Sequence, residues 1–169
     1  TPFQPWLDAM SQYLSPYDFN PLNINPLKDL VGRFVDFDSV RAYADLQLFV
    51  SATNVRTGEL HVFRRAEMTA DMIVASACLP HLFRAVEIGG EAYWDGGYVG
   101  NPALYPLIGA TPTENLLLVQ INPVRRKQIP KTQDEILARI NENTFNSSLM
   151  SELRGLTFVR KLIDEGRLT

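Results

Sequence analysis

The stretch Tyr93-Trp94-Asp95-Gly96-Gly97-Tyr98-Val99-Gly100-Asn101-Pro102 carries a carboxylate out of an aromatic, strand-forming run and straight into two glycines. Tyr93 and Trp94 favour an extended, half-buried backbone. Gly96 and Gly97 lack β-carbons, so they can adopt positive φ and let another backbone or a substrate approach closely, which leaves Asp95 unshielded at the strand end. Ligands in open α/β sheets bind at such ends. The bare tripeptide is also what a tight turn uses, so its chemistry has to be read from the surrounding chain.

Working upstream, Arg84–Ile88 and Glu91–Trp94 flank Gly89-Gly90, a two-residue link suited to the positive φ angles of a hairpin turn. A hairpin therefore delivers the chain to Asp95. Leu46–Val55 is rich in β-branched and aromatic residues, and Thr57-Gly58 leads from it into Glu59–Phe63, which reads as two strands and a turn. Thr69 can cap a helix through Asp71, Met72, Ile73, Val74 and Ala75 that ends near Pro80. That helix is apolar nearly all round and should be buried.

Downstream, Leu116–Ile121 is a short apolar run between Pro112 and Pro123, as expected of a strand buried on both faces in a parallel sheet. Thr132 and Glu135 match a capping box, and apolar residues from Ile136 to Ile163 recur at helical spacing, so one or two helices fill 131–168. Five prolines in residues 1–27 restrict that arm to short elements, with room for one helix at about Trp6–Leu14.

Of the 169 residues 46% are apolar and 21% charged, and the formal net charge is -3. This composition suits one globular domain and offers no basic field for a phosphate backbone, so nucleic acid is not expected as a partner. Cys78 is the single cysteine and no zinc-type spacing occurs. No cofactor or metal is expected, and the chain reads as cytoplasmic, with peripheral contact at a membrane surface.

Other candidate nucleophiles and bases read poorly. Ser76 has Val74 and Cys78 where a nucleophile elbow needs glycines. Cys78 falls on the buried helix and is separated from His81 by Pro80, which makes it a core thiol. His61 alternates with apolar residues on a strand and should face solvent. His61 and His81 both precede Asp95, so the serine, acid, histidine order of an α/β-hydrolase triad is excluded within this chain.

Around Asp95 the text resembles the patatin-like phospholipase family. Asp95-Gly96-Gly97 is similar to that family's D-G-G/A motif and Asn101-Pro102 continues it. Ala75-Ser76 with Leu79-Pro80 resembles the preceding helix end, and Leu48–Thr53 resembles a family core strand. The resemblance implies part of a three-layer α/β/α sandwich with a mostly parallel sheet, hydrolysing lipid acyl esters through a Ser-Asp dyad. Asp95 would be its general base, supported by Gly96, Gly97 and Asn101.

The family's G-x-S-x-G serine and glycine-rich oxyanion loop do not occur in these residues. With Thr1 rather than methionine at the start, this leads to the expectation that residues 1–169 are the C-terminal half of one catalytic domain, partnered by an N-terminal half that supplies the serine. Two alternatives stand beside hydrolysis: a non-catalytic lipid-binding or scaffolding module, and an acyltransferase on the same fold.

Overall fold

The computed structural model describes residues 14–113 and 115–168. They fall into two compact units, one ending at Gly96 and the other beginning at Gly97. The helix expected at Trp6–Leu14 lies outside the described residues except for Leu14, which is not helical.

The first unit opens with three short helices, α1 (Pro16–Phe19), α2 (Pro26–Phe34) and α3 (Phe37–Ala42). Pro16 and Pro26 take the first helical position, where a missing N–H costs nothing. The Asn25 side chain accepts from the Leu27 N–H at 3.1 Å, and Asp36 accepts from Asp38 and Ser39 at 3.1 and 3.2 Å, so α2 and α3 start on side-chain caps.

Four strands follow: β1 (Phe49–Asn54), β2 (Leu60–Arg64), β3 (Val86–Ile88) and β4 (Glu91–Asp95). Both expected hairpins form. In the first turn the Asn54 side-chain oxygen accepts from the N–H groups of Arg56 and Thr57 at 2.9 and 3.1 Å, and Gly58 takes φ 70°. In the second, Gly89 and Gly90 take φ 61° and 85°, the left-handed pair of a tight hairpin.

The sheet order is β2-β1-β4-β3, and every pairing is antiparallel. This corrects the expectation of a mostly parallel sheet in a three-layer sandwich. A parallel neighbour needs a crossover of about a dozen residues or more. Here each hairpin returns directly on itself, and β4 then runs back beside β1 with Ala52 opposite Asp95.

Between the hairpins lies α4 (Ala70–Ala75), with Met72, Val74 and Ala75 buried. Thr69 stands at its N-cap position, but its side chain makes no capping bond. Packing therefore holds this helix: Met72 and Ala75 join Ala52, Phe63, Met68 and Tyr93 in one core, with Val50, Ile73 and Val86 against it. Burying a side chain of the size of Phe63 is worth about 1.5–3 kcal/mol.

The second unit holds α5 (Tyr105–Ile108) and the long helix α6 (Gln133–Asp164). The capping box at the start of α6 forms: Thr132 Oγ1 accepts from the Glu135 N–H at 3.3 Å, and Glu135 accepts from the Thr132 N–H at 3.1 Å. Asn146 and Leu149 are its buried residues.

No strand forms at 116–121, against expectation. Leu117, Val119 and Ile121 are 89%, 80% and 93% exposed. A strand needs a hydrogen-bonded neighbour. This segment is instead tied to α6 by the Gln120 amide, which donates to Asn146 at 2.9 Å. Among the described residues no helix is long and apolar enough to cross a membrane.

Candidate active site

Asp95 is the last residue of β4, and its backbone is held from two directions. Its cross-strand neighbour is Ala52. The Val55 N–H bonds the Ala92 carbonyl at 2.9 Å, so by the alternation of an antiparallel ladder Asp95 falls at a position whose N–H points away from β1. On that side β3 has already ended, its last pair being Val86 with Tyr93. The Cys78 carbonyl takes the vacated place and accepts from the Asp95 N–H at 2.9 Å.

At Gly96 the chain leaves the strand for a 3-10 turn, Gly96–Tyr98. The Asp95 carbonyl accepts from Thr53 Oγ1 at 2.8 Å. Thr53 is 6% exposed, so this hydroxyl is satisfied inside the protein.

Gly96 is a glycine because β1 passes against it. A β-carbon built there would stand under 3.0 Å from the Ser51 carbonyl and 2.7 Å from Ser51 Oγ. Close approach of a second backbone is therefore the reason for this residue. Positive φ is not, since Gly96 has none. Gly97 follows it in the turn and is buried.

The remaining motif residue, Asn101, belongs to the second unit. Its N–H donates to Ser148 Oγ at 2.9 Å and its amide to the Phe145 carbonyl at 3.4 Å, both on α6. The Asn101-Pro102 peptide is cis.

The groups set aside by sequence stay set aside in space. Ser76 Oγ donates to the Ile73 carbonyl at 2.7 Å at the end of α4. Cys78 is 1% exposed, and burial pushes its thiol up to about 11, with the Asp95 charge adding to the rise. His61 is exposed with its ring against Phe63 and Tyr93, and His81 is exposed in a loop. Among the described residues no group of three His, Cys, Asp or Glu could hold a metal ion.

A cleft of about 340 Å³ in the first unit is lined by Lys28, Asp71, Arg84 and Glu87 among others, and Asp95 is not one of them. Its charges are mutually balanced, with Lys28 and Asp71 paired at 2.6 Å.

Thr53 and the Cys78 carbonyl are two contacts to Asp95 that the sequence reading did not anticipate. The available signal was a hydroxyl residue at an interior position of a core strand, where burial demands a partner.

No curated protein matches the chain. The sequence model of one family, patatin-like phospholipase, matches residues 2–108. The match covers the N-terminal two-thirds of this chain, which corrects the expectation that residues 1–169 are the C-terminal half of a family domain: residues 109–169 lie outside it. It does contain α4, both hairpins, Asp95, Gly96, Gly97 and Asn101. The chain belongs to the patatin-like phospholipase family.

Proposed function

We propose that Asp95 is the general base of a Ser-Asp dyad that hydrolyses lipid acyl esters, with the serine supplied by a segment outside these 169 residues. Family membership supports a lipid-hydrolase function in general. The observation that carries the finer reading is the placement of Asp95: it ends a core strand, its N–H and C=O are both committed, and the chain turns away at once through Gly96.

In the mechanism, the serine oxygen attacks the ester carbonyl while the Asp95 carboxylate takes the hydroxyl proton. Collapse of the tetrahedral species breaks the ester C–O bond, and the departing alcohol receives that proton. Water then attacks the acyl-enzyme, Asp95 accepts its proton, and the serine recovers it as the fatty acid leaves. A carboxylate is a weak base for a hydroxyl, so the oxyanion donors that accompany the serine carry much of the barrier reduction.

Asp95→Asn tests the assignment in the protein that carries the serine. Asparagine keeps the shape and removes the basicity, and a positioned general base contributes about 10²- to 10⁴-fold. Turnover of a short-chain ester is expected to fall toward the top of that range with an unchanged thermal melt. Retained turnover ends the dyad reading.

A further inference from the structure

We infer that Thr53 is a positioning residue for Asp95, acting through the backbone of the general base and not on the substrate. The inference rests on the reading of Asp95 as that base. Its ground is the geometry at the end of β4, where Asp95 is the last residue paired with β1.

One residue further on, Gly96 lies close against Ser51 and the chain has already turned. The Asp95 N–H is fixed by Cys78, a bond that acts on the peptide plane before Asp95 and not on the one that follows it. The Thr53 hydroxyl, donating to the Asp95 carbonyl at 2.8 Å, fixes that plane. With both flanking peptides held, the direction of the Cα–Cβ bond is set, and with it the origin of the carboxylate.

Thr53 is suited to this because branching at Cβ restricts its χ1, and its place on the core strand orients the hydroxyl without an entropic cost at turnover. No other hydrogen bond to the Asp95 carbonyl could be formed by valine, which has the same shape and no donor. Loss of the bond would let the carboxylate drift, and misplacement by about 1 Å can cost about a hundredfold in rate.

The experiment is a double-mutant cycle in the full-length protein carrying the serine, read with a short-chain nitrophenyl ester and thermal melting. Thr53→Val is expected to lower kcat by about tenfold with KM unchanged, and Thr53→Ser, which keeps the hydroxyl, to restore most of it. In an Asp95→Asn background Thr53→Val should change the residual rate no further, because the residue acts only through Asp95. Wild-type kcat in Thr53→Val, no recovery in Thr53→Ser, or additive losses in the double variant would each overturn the inference while Asp95→Asn alone still abolishes turnover. Retained turnover in Asp95→Asn overturns the dyad and this inference together. Should Thr53→Val fail to fold, Thr53→Ala against Thr53→Ser carries the same comparison.

Discussion

Gly96, the residue after β4, and Ser51 on β1 approach so closely that no methyl group fits between them. Gly96→Ala must therefore push the two backbones apart at the point where Asp95 leaves the sheet. Overpacking of this kind costs about 1–3 kcal/mol, so the melting temperature should fall clearly. Gly32, inside α2 with open space around its Cα, gives the opposite sign: Gly32→Ala should stabilise by about 0.5–1 kcal/mol. Equal melting temperatures for the two variants would contradict the close approach.

Cys78 should resist alkylation in the folded chain. Its thiol is pushed up to about 11 by burial, against an ordinary value of 9.0. At about pH 8 that lowers the thiolate fraction by roughly a hundredfold, before any steric protection is counted. Iodoacetamide should label the denatured chain rapidly and the native chain slowly. The same shift has a sign for stability. Between 9.0 and about 11 the unfolded chain loses the proton while the folded chain keeps it, so stability falls as pH rises through that window. Rapid native labelling would show that Cys78 is not in the core.

The start of α6 should weaken in acid. Hydrogen bonds from the N–H groups of Lys131 and Thr132 hold the Glu135 carboxyl below its usual range. A depressed folded pKa contributes stability that is present above the unfolded value of 4.5 and lost as pH falls through the lower folded value. Circular dichroism should accordingly show helix loss on acidification, and Glu135→Gln should flatten the response. Thr132→Ala, which removes the other half of the cap, should cost about 1 kcal/mol at neutral pH. A helix signal indifferent to both changes would place the stability of α6 elsewhere.

The local elements were legible because their signals are local. Gly89-Gly90 and Thr57-Gly58 mark turns by backbone freedom, Thr132 and Glu135 satisfy orphan N–H groups, and the apolar 72–75 segment has to be buried. What sequence misjudged was direction and partnership. The run at 116–121 has the composition of a buried strand, yet composition does not supply a neighbour, and without one the residues stand exposed. The sheet was expected to be parallel by family resemblance, while the hairpins alone already required antiparallel neighbours. Asp95 was singled out from its motif. Thr53 was quoted only as part of a strand, because its bond to Asp95 spans 42 residues and no spacing rule reaches that far.

That separation also orders the assembly of the molecule. Each hairpin closes over a handful of residues, whereas the β1–β4 pairing must bring together segments separated by α4 and the loop after it. Closing the longer loop costs more chain entropy, and contacts of high sequence separation slow folding. The two hairpins can therefore exist as independent ribbons, one carrying Thr53 and the other carrying Asp95, before either is anchored to the other. The surroundings of the aspartate are completed by the most non-local step of the sheet, and a chain arrested before that step would hold every residue of the motif in the right order without the Thr53 bond.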